Sequence, residues 1–159
     1  LKMKKDNKIK INIPFVRQKT HYFCGPASLQ MIFGYFNFSK CQNELAKKLQ
    51  TCEEIGTPIY KMIETVMDHG FYYQAKNGTT LKDVYNMLIE KIPVIVNFIE
   101  PTDEESHYAV VSGMTKNDII LDDPWNGKNF KISKSEFLKR WRGEAKRWSL
   151  AISRDNVFS

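Results

Sequence analysis

The feature that most constrains this chain is a change of hydrophobic period at Lys91. Before it, apolar residues recur mainly at helical spacing; after it, they fall into short continuous runs parted by turn residues. Ala27, Leu29, Met31, Ile32, Phe33, Tyr35 and Phe36 mark one helix, and Gln42 to Leu49 reads as a second, amphipathic one. A third carries Ile59, Met62, Ile63, Val66 and Met67 inward and stops at Gly70, with Thr57-Pro58 as N-cap and first helical residue. Thr80 and Asp83 form a capping-box-like start, with Asp in place of the usual Glu, to a fourth helix that runs through Glu90. Two short strands interrupt this half: Ile9 to Phe15, which alternates, and Phe71 to Ala75. Beyond Lys91 the strands are Pro93–Ile99, His107–Met114, Asp118–Asp123 and Asn129–Ile132, with turns at Thr115–Asn117 and Asn126-Gly127. Ser133 caps a short helix to Trp141, and Arg147 to Ile152 closes the series. Helices first and an antiparallel sheet second predict an α+β fold.

A length of 159 residues predicts one domain, with residues 1–8 as a flexible basic arm and 9–159 as the folded unit. Its helical half is about 9–91 and its sheet half about 92–155. Hydrophobic content of 42% and charged content of 26% are those of a globular protein. No apolar run approaches the roughly 20 residues a membrane span needs. No apolar stretch follows Leu1-Lys2-Met3-Lys4-Lys5, so no signal peptide is read there. The net charge of +6 gathers at Lys2, Lys4, Lys5, Lys8 and Lys10 and again at Lys139, Arg140, Arg142, Lys146 and Arg147. With no nucleic-acid motif beside them, these charges read as a solvated tail and helix end. Weak association of the arm with a membrane surface remains compatible with them.

The chemistry-bearing stretch is Gln18 to Ser28. Cys24 stands at the mouth of the first helix, where backbone N–H groups and the positive end of the helix dipole favour a thiolate. Gln18 lies six residues upstream, close enough to return its amide to the same spot. A nucleophile beside an amide donor is the start of an acyl-transfer site. Three cysteines, Cys24, Cys41 and Cys52, leave two arrangements open: Cys41 paired with Cys52 and Cys24 free, or all three reduced. Their spacing with His21 matches no zinc pattern.

A cysteine nucleophile needs a base, and the base needs an orienting group. Among three histidines, His69 reads as a helix cap before Gly70, and His21 as loop surface or substrate cleft. His107 opens an apolar strand at the edge of a charged loop, Thr102 to Ser106. The acidic residues Asp103, Glu104 and Glu105 of that loop read as a solvated turn able to attract a basic peptide segment. Asp123 is 16 positions beyond His107, centred on a turn at Thr115. Direct antiparallel pairing would set the two side chains about 5 Å apart on one face, with Asp122 on the other. A bulge at the turn would exchange Asp122 and Asp123.

Gln18-x5-Cys24-Gly25-Pro26-Ala27, then His107-Tyr108-Ala109-Val110-Val111-x-Gly113, then Asp123-Pro124-x-x-Gly127 resembles the C39-type cysteine peptidases. These belong to the papain-like superfamily and are best known as bacteriocin-processing domains of export transporters. The resemblance runs from about Ile13 to Ile152 and implies a papain-like fold with no metal or organic cofactor. It assigns Cys24 as nucleophile, His107 as general base, Asp123 as its orienting partner, and Gln18 with the Cys24 N–H as oxyanion hole. The substrate it implies is a peptide or protein. Transporter-linked members usually have an acidic or polar residue before the cysteine and cleave after a double glycine. This chain has Phe23 at that place, and Cys24-Gly25-Pro26-Ala27 looks more like the stand-alone C39-like proteins, some of which are exported or lipid-anchored; an extracytoplasmic or lipid-anchored location is therefore slightly favoured over a cytoplasmic one. Two other readings keep the same residues: a peptide-binding module without turnover, and a thiol acyltransferase or transpeptidase in which an amine or thiol replaces water.

Overall fold

Four apolar strands from the second half of the chain build the centre of one antiparallel sheet: β3 (Val94–Ile99), β4 (Ser106–Met114), β5 (Asp118–Asp123) and β7 (Ser149–Ser153). The computed structural model describes residues 8–142 and 146–158; apart from Lys8, the expected basic arm lies outside the described residues. Among the described residues the sheet has seven strands. Two come from the first half, β1 (Ile9–Lys10) and β2 (Tyr72–Lys76), and the last is β6 (Gly127–Ser133). The order is β2-β7-β3-β4-β5-β6, with β1 on β4. The helices are α1 (Cys24–Tyr35), α2 (Gln42–Lys48), α3 (Ile59–Asp68), α4 (Leu81–Ile89) and α5 (Lys134–Arg140).

Helix α1 is the hub. Leu29, Met31, Ile32 and Phe33 are all fully buried, so it is covered nearly all round, as its continuous apolar sequence requires. It packs on β4 on one side and α2 on another. Burying each such side chain is worth about 1.5–3 kcal/mol. Behind α1, Phe33, Phe38, Phe71 and the His69 ring form an aromatic cluster. His69 caps α3, its Nδ1 lying 2.7 Å from the Thr65 carbonyl oxygen. The Thr80–Asp83 capping box and the Ser133 cap form as expected.

Several boundaries differ from the sequence reading by a residue or more, and three of them have a visible cause. The first strand ends at Lys10 rather than near Phe15. Ile9 and Lys10 pair with Met114 and Gly113, but from Val111 outward that edge of β4 is taken by β3. Ile11 and Ile13 keep their inward alternation, buried without a ladder. Gly113 is needed there, since a Cβ would come 2.7 Å from the Ile9 carbonyl oxygen. Helix α3 starts one residue late: Pro58 is the N-cap, in extended conformation, and the Thr57 hydroxyl bonds Thr51 at 2.7 Å instead. The closing strand begins at Ser149 because Arg147 is in the left-handed region, with φ of 50°.

Candidate active site

Cys24 is the first residue of α1, and its N-cap, Phe23, makes no side-chain capping bond. Pro26 has no N–H, and the first helical bond runs from Ala27 N–H to the Phe23 carbonyl at 3.0 Å. The amides of Cys24 and Gly25 are thus left at the helix mouth with no side-chain cap. Gly25 allows that mouth to lie against the lead-in to α3: a Cβ would fall 2.5 Å from Thr57 Oγ1.

His107 is the second residue of β4 and only 6% exposed. Its Nε2 lies 2.7 Å from Asp123 Oδ1. The pair comes about differently from the directly opposed register expected. At the hairpin, Met114 faces Ile119 and Gly113 faces Ile120. Continued unbroken, that register would carry Asp122 to the face of His107. Ser112 is inserted as a bulge, so that Val111 pairs with Leu121 and Val110 with Asp122. This slip of one residue returns Asp123 to the His107 side, as a diagonal neighbour. Asp122 points away and accepts from the Asn129 N–H at 3.1 Å.

Asp123 is fully buried and held from four directions. Oδ1 accepts from His107, from Trp125 N–H at 2.8 Å and from Asn126 N–H at 3.0 Å, and Oδ2 from Asn126 Nδ2 at 3.1 Å. Burial opposes its ionisation, but these donors and the His107 charge hold its carboxyl below the ordinary range. Burial likewise opposes protonation of His107. The Cys24 charge outweighs it, together with hydrogen bonds to Asp123 and Cys24 and the Asp123 charge, and the imidazole is raised to about 10. With Nε2 given to Asp123, Nδ1 is the ring nitrogen left for Cys24.

Gln18 reaches the same place from the loop before α1. Its backbone N–H donates to the Pro124 carbonyl at 3.1 Å, which ties the loop to the turn after Asp123. Its Nε2 donates to Thr20 O at 2.8 Å, while Oε1 is buried with no hydrogen-bond partner among the described residues. Gln42 brackets this residue: it accepts from Lys19 N–H at 2.7 Å and donates to the Arg17 carbonyl at 3.0 Å. All four residues expected at the site line or adjoin one cleft of about 470 Å³, with Asp123 buried behind His107. One wall is Glu53 to Gly56; the other carries Asp103, Glu105, Ser106 and Trp125. Despite the net charge of +6, the lining includes five carboxylates. His21 is at the cleft mouth, 3.4 Å from Glu53, so it is both loop surface and cleft wall. Cys41 and Cys52 are free thiols, not a pair.

The profile of the Peptidase_C39 like family matches residues 10–147. The chain belongs to this family. It is 30% identical, over 119 residues and 74% of its length, to the transport/processing ATP-binding protein PedD of Pediococcus acidilactici. The aligned part is 16% of that relative, so the chain corresponds to a small part of a much longer protein. Among solved structures it resembles the peptidase domain of Streptococcus ComA, with a TM-score of 0.74, 23% identity, and 92% of this chain and 99% of that one covered. It also resembles a double glycine motif protease from an AMS/PCAT transporter in complex with the leader peptide, at TM-score 0.71 and 18% identity, covering 90% and 92% of the two chains. The fold is therefore the papain-like α+β fold of C39 peptidase domains.

Sequence reasoning did not single out Gln42, Glu100 or Asn126. Gln42 carried one signal, a polar residue heading an otherwise amphipathic helix, and it proves only 2% exposed. Asn126 was legible as a turn residue, and its bonds across that turn could not be read from spacing.

Proposed function

We propose that the protein is a cysteine peptidase that hydrolyses a peptide amide, with Cys24 as nucleophile. The observation that carries this reading is the buried 2.7 Å contact between His107 and Asp123, on the face that meets Cys24 at the floor of the cleft. His107 Nδ1 takes the Cys24 proton, and the thiolate adds to the substrate carbonyl carbon. The oxygen becomes an oxyanion near the Cys24 N–H and the second Gln18 Nε2 hydrogen. As the C–N bond breaks, His107 returns its proton to the leaving amine; water, deprotonated by the same ring, then releases the acyl group. Asp123 keeps Nε2 protonated throughout, so that Nδ1 faces the sulfur.

The substrate in this reading is a peptide segment lying between the Glu53–Gly56 wall and the Trp125 wall. The similar double glycine motif protease solved in complex with the leader peptide supports a peptide as the class of substrate. The test is the rate of iodoacetamide alkylation of Cys24 from pH 4 to 9, with His107→Ala alongside and peptide-library cleavage read by mass spectrometry. Rapid alkylation near pH 5 that collapses in the variant, together with cleavage products, is expected. Alkylation that rises only near pH 8.5 in both proteins would mark an ordinary thiol and overturn the reading. An added amine in the cleavage assay separates hydrolysis from acyl transfer.

A further inference from the structure

Against the turn after Asp123 lies a second buried carboxylate that the mechanism above does not use. Glu100, 3% exposed, is the first residue after β3, and its carboxylate accepts from the loop that follows it. Its Oε2 accepts from Thr102 N–H at 2.8 Å, and its Oε1 accepts from Asp103 N–H. Asn126 stands between it and Asp123. One amide nitrogen, Asn126 Nδ2, lies 3.1 Å from Asp123 Oδ2 and 3.3 Å from Glu100 Oε2. The other end of the amide is also engaged, since Asn126 Oδ1 accepts the Thr102 hydroxyl at 2.8 Å. The side chain therefore has one hydrogen for each carboxylate and is fixed in orientation by a third partner.

Two buried carboxylates one amide nitrogen apart resist joint ionisation, and one of them ordinarily retains a proton. We propose that Asn126 is a positioning residue that keeps Asp123 and Glu100 ionised side by side, so that Asp123 holds His107 with its full charge into acidic solution. The inference rests on the reading of Cys24, His107 and Asp123 given above. Both carboxyls lie below their ordinary range, in each case against the opposing effect of burial. The other charged groups around the pair are few. His107 and Cys24 face it from the cleft, and Arg17 reaches the turn through the Trp125 carbonyl at 3.1 Å. Asp103 and Glu105 follow Glu100 in its loop, while Arg140 bonds the Ile99 carbonyl and Glu104. None of these donates to both carboxylates among the described residues; Asn126 does.

The test compares the acid limb of Cys24 alkylation in the wild type, Asn126→Ala and Asn126→Asp, with thermal melting at each pH to report folding. Asn126→Ala removes the shared donor, and its acid limb is expected to move up by about one pH unit. Asn126→Asp keeps the shape and the Thr102 bond but puts a third oxygen against two others, so its limb should move further. A residue that merely holds the turn would lower the plateau or the melting temperature and leave the limbs in place. Coincident limbs in all three proteins would overturn the inference while leaving the peptidase reading standing. A wild type with no His107-dependent thiolate would overturn both.

Discussion

In the proposed mechanism the cleft has two arms, which are built differently. The base arm, His107 and Asp123, lies in adjacent strands, almost wholly buried, with every Asp123 contact made by a residue of the fold. The nucleophile arm is a loop and a helix mouth. Gln18 is held there by its backbone N–H and by Nε2 donating to Thr20, and its Oε1 has no partner among the described residues. Strand pairing sets the first arm to within the precision of a ladder, whereas the second depends on a few long-range hydrogen bonds with the Pro124 carbonyl and the Gln42 side chain. Losses on the base arm should therefore appear in protonation, and losses on the nucleophile arm in transition-state binding.

The largest expected effect breaks the base arm at its charge. Asp123→Asn can leave an oxygen facing His107 and the two backbone donors, so the fold should persist. The amide then puts a donor against Asn126 Nδ2 and removes the carboxylate charge that stands beside His107 Nε2. Loss of kcat should be on the order of 10³–10⁴-fold, with a lowered upper pH limb for alkylation. A kcat within a few-fold of wild type would show that the charge is unnecessary. On the other arm, Gln18→Ala removes one oxyanion donor and should cost about 10²-fold in kcat with little change in KM. Its alkylation profile should match wild type, because no proton of the Cys24–His107 pair is touched. A shifted profile would mean that the two arms are not separable.

Gln42→Ala tests the same arm from further away. It leaves the Lys19 N–H and the Arg17 carbonyl without their partner; both residues are exposed, so water replaces part of what is lost and each bond is worth about 0.5–1.5 kcal/mol. The expected result is a lowered melting temperature and a kcat loss smaller than that of Gln18→Ala. The double variant should be less than additive, since both act through one amide.

The unequal legibility of the site follows the same division. Local chemistry was readable: Cys24 before an apolar helix, the Thr80–Asp83 box and the His69 cap all depend on neighbours a few residues apart. Asp123 rather than Asp122 lies beside His107, for a reason the sequence could not supply. Spacing suggested direct opposition, while the structure reaches the same partner through a bulge at Ser112. The end of β1 at Lys10 depended on which strand had already taken the β4 edge, a fact of topology rather than propensity. Gln42 and Asn126 act across 23 to 26 positions of chain, and no period or motif encodes bonds of that span.

The smallest expected effect concerns stability rather than rate, and it sharpens the claim that the base arm is an electrostatic unit. His107 is raised from 6.5 to about 10 in the folded protein, so its contribution is complete below pH 6.5 and is lost as the pH climbs through about 10. Asp123 is lowered, so its contribution is complete above the unfolded carboxyl range, near 3.9, and is lost as the pH falls below it. The site thus favours folding most between about pH 4 and 6.5. Urea unfolding midpoints measured from pH 4 to 10 should decline on the alkaline side of that window. In His107→Gln the decline should be shallower, because a neutral amide releases no proton there. Parallel declines in the two proteins would place the alkaline loss in other groups and leave the base arm held by shape alone.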